Sequence, residues 1–254
     1  MTVGVNDASV FKGYCPAHDS QLFASAEVTN RGKNNAMGIS LHLRAVSLEY
    51  CRKRQVVDFQ RKFSELAGNA ETWSTLQKDA DALDTFCSCF KKVYLGSIFN
   101  LIFGSDVDSI EYICIPFSRN LQVSCCGTFN ELDTFDSTIG FNLISFVGMS
   151  FLVLTTFKVV KHYLDSFLAR YDFPHNAEKL VNDIAFVKCE EPLIAPQLWR
   201  SLSEDEKLAV RLSLRPPAVR AEATAPRIIR LTPNDFVRTV TEMPDFIIQA
   251  FVPN

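Results

Sequence analysis

Cys15 and His18 stand three residues apart in the stretch FKGYCPAHDSQLFASAE, residues 11–27. That is the spacing of one ligand pair of a zinc site, and a closed site needs four ligands. The remaining cysteines offer no evident second pair. Cys87 and Cys89 are two apart in a helical pattern, so they point to different faces. Cys125 and Cys126 are adjacent in a strand-like stretch and also face opposite sides, with Cys125 sharing the side of Leu121 and Val123. Cys189 and His175 are isolated, and no Cys-x-x-Cys occurs. Cys15 and His18 are therefore candidate metal ligands of an incomplete site, and the plainer reading is a buried cysteine with a histidine held by Asp19 at a helix start. No zinc is expected to be held tightly by a monomer, and Cys15 is then a buried thiol with His18 held by Asp19 or a backbone group. Zinc becomes possible if the set is completed, as when two copies pool their halves in a homodimer at half a zinc per chain.

A second chemical signal is the run CRKRQVVDFQRK, residues 51–62. Arg52, Lys53, Arg54, Arg61 and Lys62 gather on one helix and, with Arg44, could form a basic side that meets nucleic-acid phosphates. The plainer reading is a solvated helix face. Signals for catalysis are missing. There is no Gly-x-Ser-x-Gly, the four histidines lie in unrelated contexts, and the ten glycines are scattered with no phosphate-cradling loop. Glu190-Glu191 and Glu204-Asp205-Glu206 read as solvated faces or helix starts. No catalytic residue is assigned.

A chain of 254 residues, 47% hydrophobic and with 21 phenylalanines, can bury one large core or two modest ones. The net charge of −3 gives no global pull toward nucleic acid. Met1–Val10 carries no apolar run of a secretory signal. The eight cysteines have mostly apolar neighbours and no regular spacing, which points to a reduced, cytoplasmic setting.

The elements that would position these residues follow from periodicity. Leu41, Ala45, Leu48, Val56, Phe59, Phe63 and Leu66 recur at helical spacing, with Gly68-Asn69 as a stop. Trp73, Leu76, Ala80, Leu83, Cys87, Phe90 and Tyr94 mark a second helix, and the short link makes the two an antiparallel hairpin. From Ser109 to Phe157 four β-rich stretches read as a meander, with Ser118-Arg119-Asn120 as its first turn. Lys158–Arg170 looks helical, Asn176–Val187 is a weaker helix or a helix plus a strand, and Ser203 with Glu206 forms a capping box. Pro216-Pro217 stops that last helix.

Ser137–Phe157 is free of charge and long enough to cross a bilayer, with Lys158 and Lys161 behind it. A buried β-hairpin explains it better. Asn142, Ser145, Ser150, Thr155 and Thr156 dilute the apolarity, Gly148 sits where a turn is needed, and Phe, Val, Ile and Thr favour strands.

The string Phe11-x-Gly13-Tyr14-Cys15-x-x-His18-Asp19-x-x-Leu22-Phe23, with Glu27 after it, resembles a widespread group of bacterial proteins that read F-x-G-F-C-x-x-H-D-x-x-L-F. Leu43-Arg44-Ala45 and the segment PLIAPQLWRSLSEDEK, with Pro196 and Trp199, are similar to two further landmarks of that group. The likeness runs loosely from Val3 to Lys207. Longer members look like treble-clef zinc proteins of the HNH nuclease type, in which an upstream Cys pair and a Ser-His element precede this motif. Fourteen residues precede Cys15 here, so the upstream half, with the base histidine of an HNH site, is expected to be missing.

These readings give an α+β chain. Residues 1–30 are a zinc-knuckle remnant, 36–103 a long antiparallel helical hairpin, 104–215 an antiparallel β-meander with C-terminal helices packed on it, and 216–254 an irregular tail. The expected role is that of a non-catalytic intracellular protein derived from a treble-clef module, nucleic-acid-associated or defence-related. Two alternatives stand beside it: an N-terminally truncated HNH-like nuclease, and a small membrane protein anchored by residues 137–157.

Overall fold

The computed structural model of the chain describes residues 35–66, 70–92, 110–130, 137–146, 148–214 and 226–235. Two long helices come first, α1 (Asn35–Leu66) and α2 (Ala70–Phe90), and they pack as the expected antiparallel hairpin. Four strands follow: β1 (Ile110–Phe117), β2 (Val123–Asn130), β3 (Thr138–Phe146) and β4 (Met149–Phe157). Then come α3 (Lys161–Arg170), α4 (Ala177–Asp183) with a π turn over Ile184–Lys188, the short β5 (Leu193–Ile194), α5 (Pro196–Ser201) and α6 (Glu204–Ser213). The fold is mixed α+β around one antiparallel sheet of order β1-β4-β3-β2-β5.

That order corrects one expectation. β2, β3 and β4 do run as a meander, but β1 pairs with β4, Ile110 opposite Phe157 and Phe117 opposite Ser150. Ser118–Asn120 is therefore no hairpin turn. It begins a connection that crosses the end of the sheet to reach β2. Gln122 takes a positive φ of 58° there, and its N–H donates to Asn120 Oδ1 at 2.8 Å. The local residues are compatible with a turn, but pairing is decided by which strand completes the buried faces. The uncharged stretch 137–157 is the β3–β4 hairpin, turning at Gly148 with φ of 80°. Among the described residues no helix is long and apolar enough to cross a membrane.

The sheet has two buried faces, as its alternation requires. On one, Ile115, Phe117, Val123, Cys125, Ile139, Phe141, Leu143, Leu152 and Leu154 form the main core with α3, α4 and the π turn. On the other, Tyr112, Cys114, Phe151 and Val153 meet Leu41 of α1. Gly140 lets α1 lie close, since a Cβ there would fall 2.6 Å from Thr155 Oγ1 and 3.0 Å from His42 Nδ1. The Ser203–Glu206 capping box forms as its sequence implies: Glu206 N–H donates to Ser203 Oγ and Ser203 N–H to Glu206 Oε2.

Residues 226–235, within the expected irregular tail, have little regular structure but are fastened to the body. Asn182 accepts at Oδ1 from the N–H groups of Ile228 and Ile229, at 2.9 and 2.8 Å. Its Nδ2 donates to the Ile229 carbonyl at 2.7 Å. Glu178 Oε2 accepts from Leu231 N–H at 2.8 Å, and the side chains of Ile228 and Ile229 enter the main core.

Candidate functional site

Cys15 and His18 lie outside the described residues. The five basic residues lie on the middle and distal turns of α1, and four of them face carboxylates. Arg52 Nη2 donates to Glu191 Oε2 at 3.0 Å, and Lys53 Nζ stands 3.0 Å from Glu49 Oε1 and 3.8 Å from Glu190 Oε1. Arg54 and Arg61 both reach Asp84 of α2, and Arg61 Nη2 also bonds Asp81 Oδ1 at 3.3 Å. Their combined pull holds the Asp84 carboxyl below its usual range, with the Arg61 hydrogen bond the largest cause. Lys62 is exposed. A cation already matched by a carboxylate has less to offer a phosphate, so the run is a set of clasps between elements before it is a basic face.

Those clasps have an unexpected counterpart. The seam between α1 and α2 beyond Arg54 is polar or small: Arg54, Arg61, Asp81 and Asp84, Ser64 donating to Gln77 Oε1 at 3.5 Å, and buried Val57 and Ala80. The large apolar residues of distal α1 point the other way. Val56, Phe59, Phe63 and Leu66 are exposed, Phe59 at 65% and Leu66 at 82%. The rings of Phe59 and Phe63 stack with centroids 5.7 Å apart. Helical periodicity placed these four on one line with Leu41 and Ala45, and that much is correct. The stripe is covered by the sheet only in its first half. Leu41 and Ala45 are buried, whereas the second half extends beyond the sheet and turns away from α2. Trp73, in the first turn of α2, is half exposed as well.

Two further clusters were invisible in the sequence. His42 is fully buried, and burial pushes its pKa down to about 3. The Thr155 hydroxyl donates to the Gly140 carbonyl at 3.3 Å, so its Oγ1 accepts from His42 Nδ1–H at 2.8 Å. The ring meets Phe157 edge-on. This reads as a neutral packing histidine that pins α1 to the middle of the sheet.

The other cluster holds three thiols at the β2 edge. Cys189 follows the π turn and is buried in the main core together with Cys125. Hydrogen bonding with Cys125 foremost, then with the Glu191 backbone, the nearby Arg52 guanidinium and the Cys126 backbone, holds the Cys189 thiol below its ordinary pKa. Burial and Cys189 push Cys125 up, and burial pushes Cys126 up to about 12. The residues that meet here come from β2, α1 and the 189–191 turn, which no spacing rule connects. Among the described residues no group of three or more His, Cys, Asp or Glu is arranged to hold a metal ion. Comparison with family models, with curated proteins and with solved structures finds no match to this chain.

Proposed function

We propose that this chain works by association, without catalysis of its own, and that the distal half of its helical hairpin is the surface through which it associates. The observation that carries this reading is the exposed stripe Val56, Phe59, Phe63 and Leu66 on a helix that meets its neighbour through Arg54 and Arg61. Exposed aromatic and aliphatic side chains in a contiguous row mark interaction surfaces.

The occupant best suited to the stripe is a second copy of it. Its steps of three, four and three read the same in both directions. Two copies laid antiparallel would set Val56 against Leu66 and Phe59 against Phe63, as coiled-coil seams set knobs into holes. Such a homodimer would also bring two Cys15-x-x-His18 halves into one particle, which is how the treble-clef likeness would give zinc at half an ion per chain. Nucleic-acid binding has weaker support, because Arg52, Lys53, Arg54 and Arg61 each have a carboxylate partner.

Sedimentation of the full chain over a range of concentrations tests the reading. A monomer–dimer equilibrium is expected, with Phe59→Glu and Phe63→Glu remaining monomeric and keeping the wild-type circular dichroism. A chain that is monomeric at every concentration, or a dimer untouched by both substitutions, refutes it.

A further inference from the structure

Residues 226–235 lie on the body without joining its sheet. The ladders run among β1 to β5, and none passes through this segment. Among the described residues one backbone–backbone hydrogen bond ties it to the body, from Ser118 N–H to the Asp235 carbonyl at 3.0 Å. Between residues 228 and 231 the fastening is done by side chains of α4. Asn182 takes the N–H groups of Ile228 and Ile229 and the Ile229 carbonyl, and Glu178 takes the Leu231 N–H. Each of those bonds goes to the main chain of the segment and selects no side chain. Selection comes from two other features. Ile228 and Ile229 enter the main core, at 5% and 3% exposed. The exposed guanidinium groups of Arg227 and Arg230 meet the carboxylates of Glu178 and Glu206, the second pair at 2.6 Å. Main-chain bonds for affinity with side-chain pockets for choice are the way a folded domain holds an extended peptide.

The body also sets its reading groups with bonds of its own. Asn182 Nδ2 donates to the Glu178 carbonyl at 2.9 Å, which fixes the carboxamide with Oδ1 toward the segment. Glu206 Oε2 accepts from Ser203 N–H at 2.8 Å in the capping box, which leaves Oε1 for Arg230. Groups held by bonds that do not involve their occupant need little reordering when the occupant changes.

From this geometry we propose that Asn182, Glu178 and Glu206 line a binding site for an extended partner peptide of the pattern Arg-apolar-apolar-Arg-apolar. The chain's own Arg227–Leu231 occupies it as an internal competitor. The site is separate from the stripe on α1 and does not depend on dimerisation. Release of the segment uncovers two carboxylates, one carboxamide and the seats of two isoleucines, and a peptide of the same pattern matches all of them. An acidic peptide does not. A segment tethered to its own site competes at about millimolar effective concentration. The closed chain therefore binds such a peptide weakly, and an opened chain binds it well.

The test is fluorescence anisotropy of a labelled peptide with the sequence of residues 226–235, added to the full chain. In Arg227→Glu/Arg230→Glu the internal competitor is repelled by Glu178 and Glu206, and the peptide should bind roughly tenfold more tightly than to the wild type. A peptide with Glu in place of both arginines should not bind, and adding Phe59→Glu to the doubly substituted chain should leave the affinity unchanged. Hydrogen exchange of the wild type gives an answer that needs no variant to fold. The amides of Ile228, Ile229 and Leu231 should exchange through a local opening, before those of β3. Exchange of these amides only together with β3 would overturn the proposal, because the segment would then be a permanent part of the core. So would a folded, doubly substituted chain that ignores the peptide, or equal binding of the charge-reversed peptide. Loss of binding with Phe59→Glu would place the peptide on the stripe and overturn it as well.

Discussion

The sheet body and the distal hairpin obey opposite rules. In the body, large apolar side chains fill both faces of the sheet, and buried polar groups such as Asn142, Thr155, Thr156 and Asn182 have named hydrogen-bond partners. In the hairpin beyond Arg54 the two helices meet through the ion pairs of Arg54 and Arg61 with Asp84, and the phenylalanines stand outside. Packing holds the first region together. The second is held by ion pairs in solvent contact, which stabilise weakly, and by its continuity with a helix whose other half is buried. A region built this way keeps its apolar surface available without drawing on it for folding.

The largest effect should come from the body. Phe141 is fully buried among Ile139, Leu143 and Phe129, and Phe141→Ala should cost about 3–5 kcal/mol in urea unfolding. The helical signal of the hairpin should vanish in the same transition, because the sheet anchors α1. A helical signal that survives it would break the comparison by making the hairpin a folding unit of its own.

Asn182→Ala should come next. It removes three hydrogen bonds that fasten residues 228 and 229, and one to the Glu178 carbonyl, at an expected cost of about 2–4 kcal/mol. Proteolysis should then cut after Arg227 or Arg230 before it cuts within the sheet.

His42 supplies a pH-dependent difference between the regions. Its folded pKa lies near 3 and its unfolded value near 6.5, so the unfolded chain takes up the proton first. Stability from the neutral ring is complete above pH 6.5 and is lost as pH falls toward 3, by about 1.4 kcal/mol per unit. Moving from pH 7.5 to pH 5 should cost about 2 kcal/mol more in the wild type than in His42→Gln. Equal losses in the two proteins would mean that the ring is charged when folded.

The smallest effect should be at the stripe. Phe59→Ser and Phe63→Ser should each change the stability of the isolated chain by no more than about 0.5 kcal/mol, in spite of the size of the ring removed. A loss as large as that at Phe141 would show that another part of the chain covers them.

How much of this was legible in the sequence depends on the range of the interaction. The capping box of Ser203 and Glu206 is local and reads directly. The helical line from Leu41 to Leu66 is also local, but periodicity reports only that a line exists. What covers it is a matter of tertiary placement, so the outward second half could not be read from the spacing. The Ser118–Asn120 link has turn chemistry, while the partner of β1 lies past two other strands. Cys125 of β2 and Cys189 beyond α4 share one core, and Arg52, which pairs with Glu191 of the neighbouring turn, looked like one of five cations on a basic helix. Cys15 and His18, the plainest motif, fall outside the described residues.

The placement of β1 beside β4 sets a timetable for synthesis. A ribosome delivers Ile110–Phe117 before any of the strands that follow, yet its partner, Met149–Phe157, is the last strand of the meander to appear. Until then the nascent chain carries an apolar strand with an unmatched ladder, which is the kind of segment that recruits chaperones or pairs with a neighbouring polysome product. Pro116 on that strand leaves it one backbone donor fewer to offer a stranger. The β1 edge of the sheet is thus completed only when β4 has been delivered, and β5 joins the opposite edge later still.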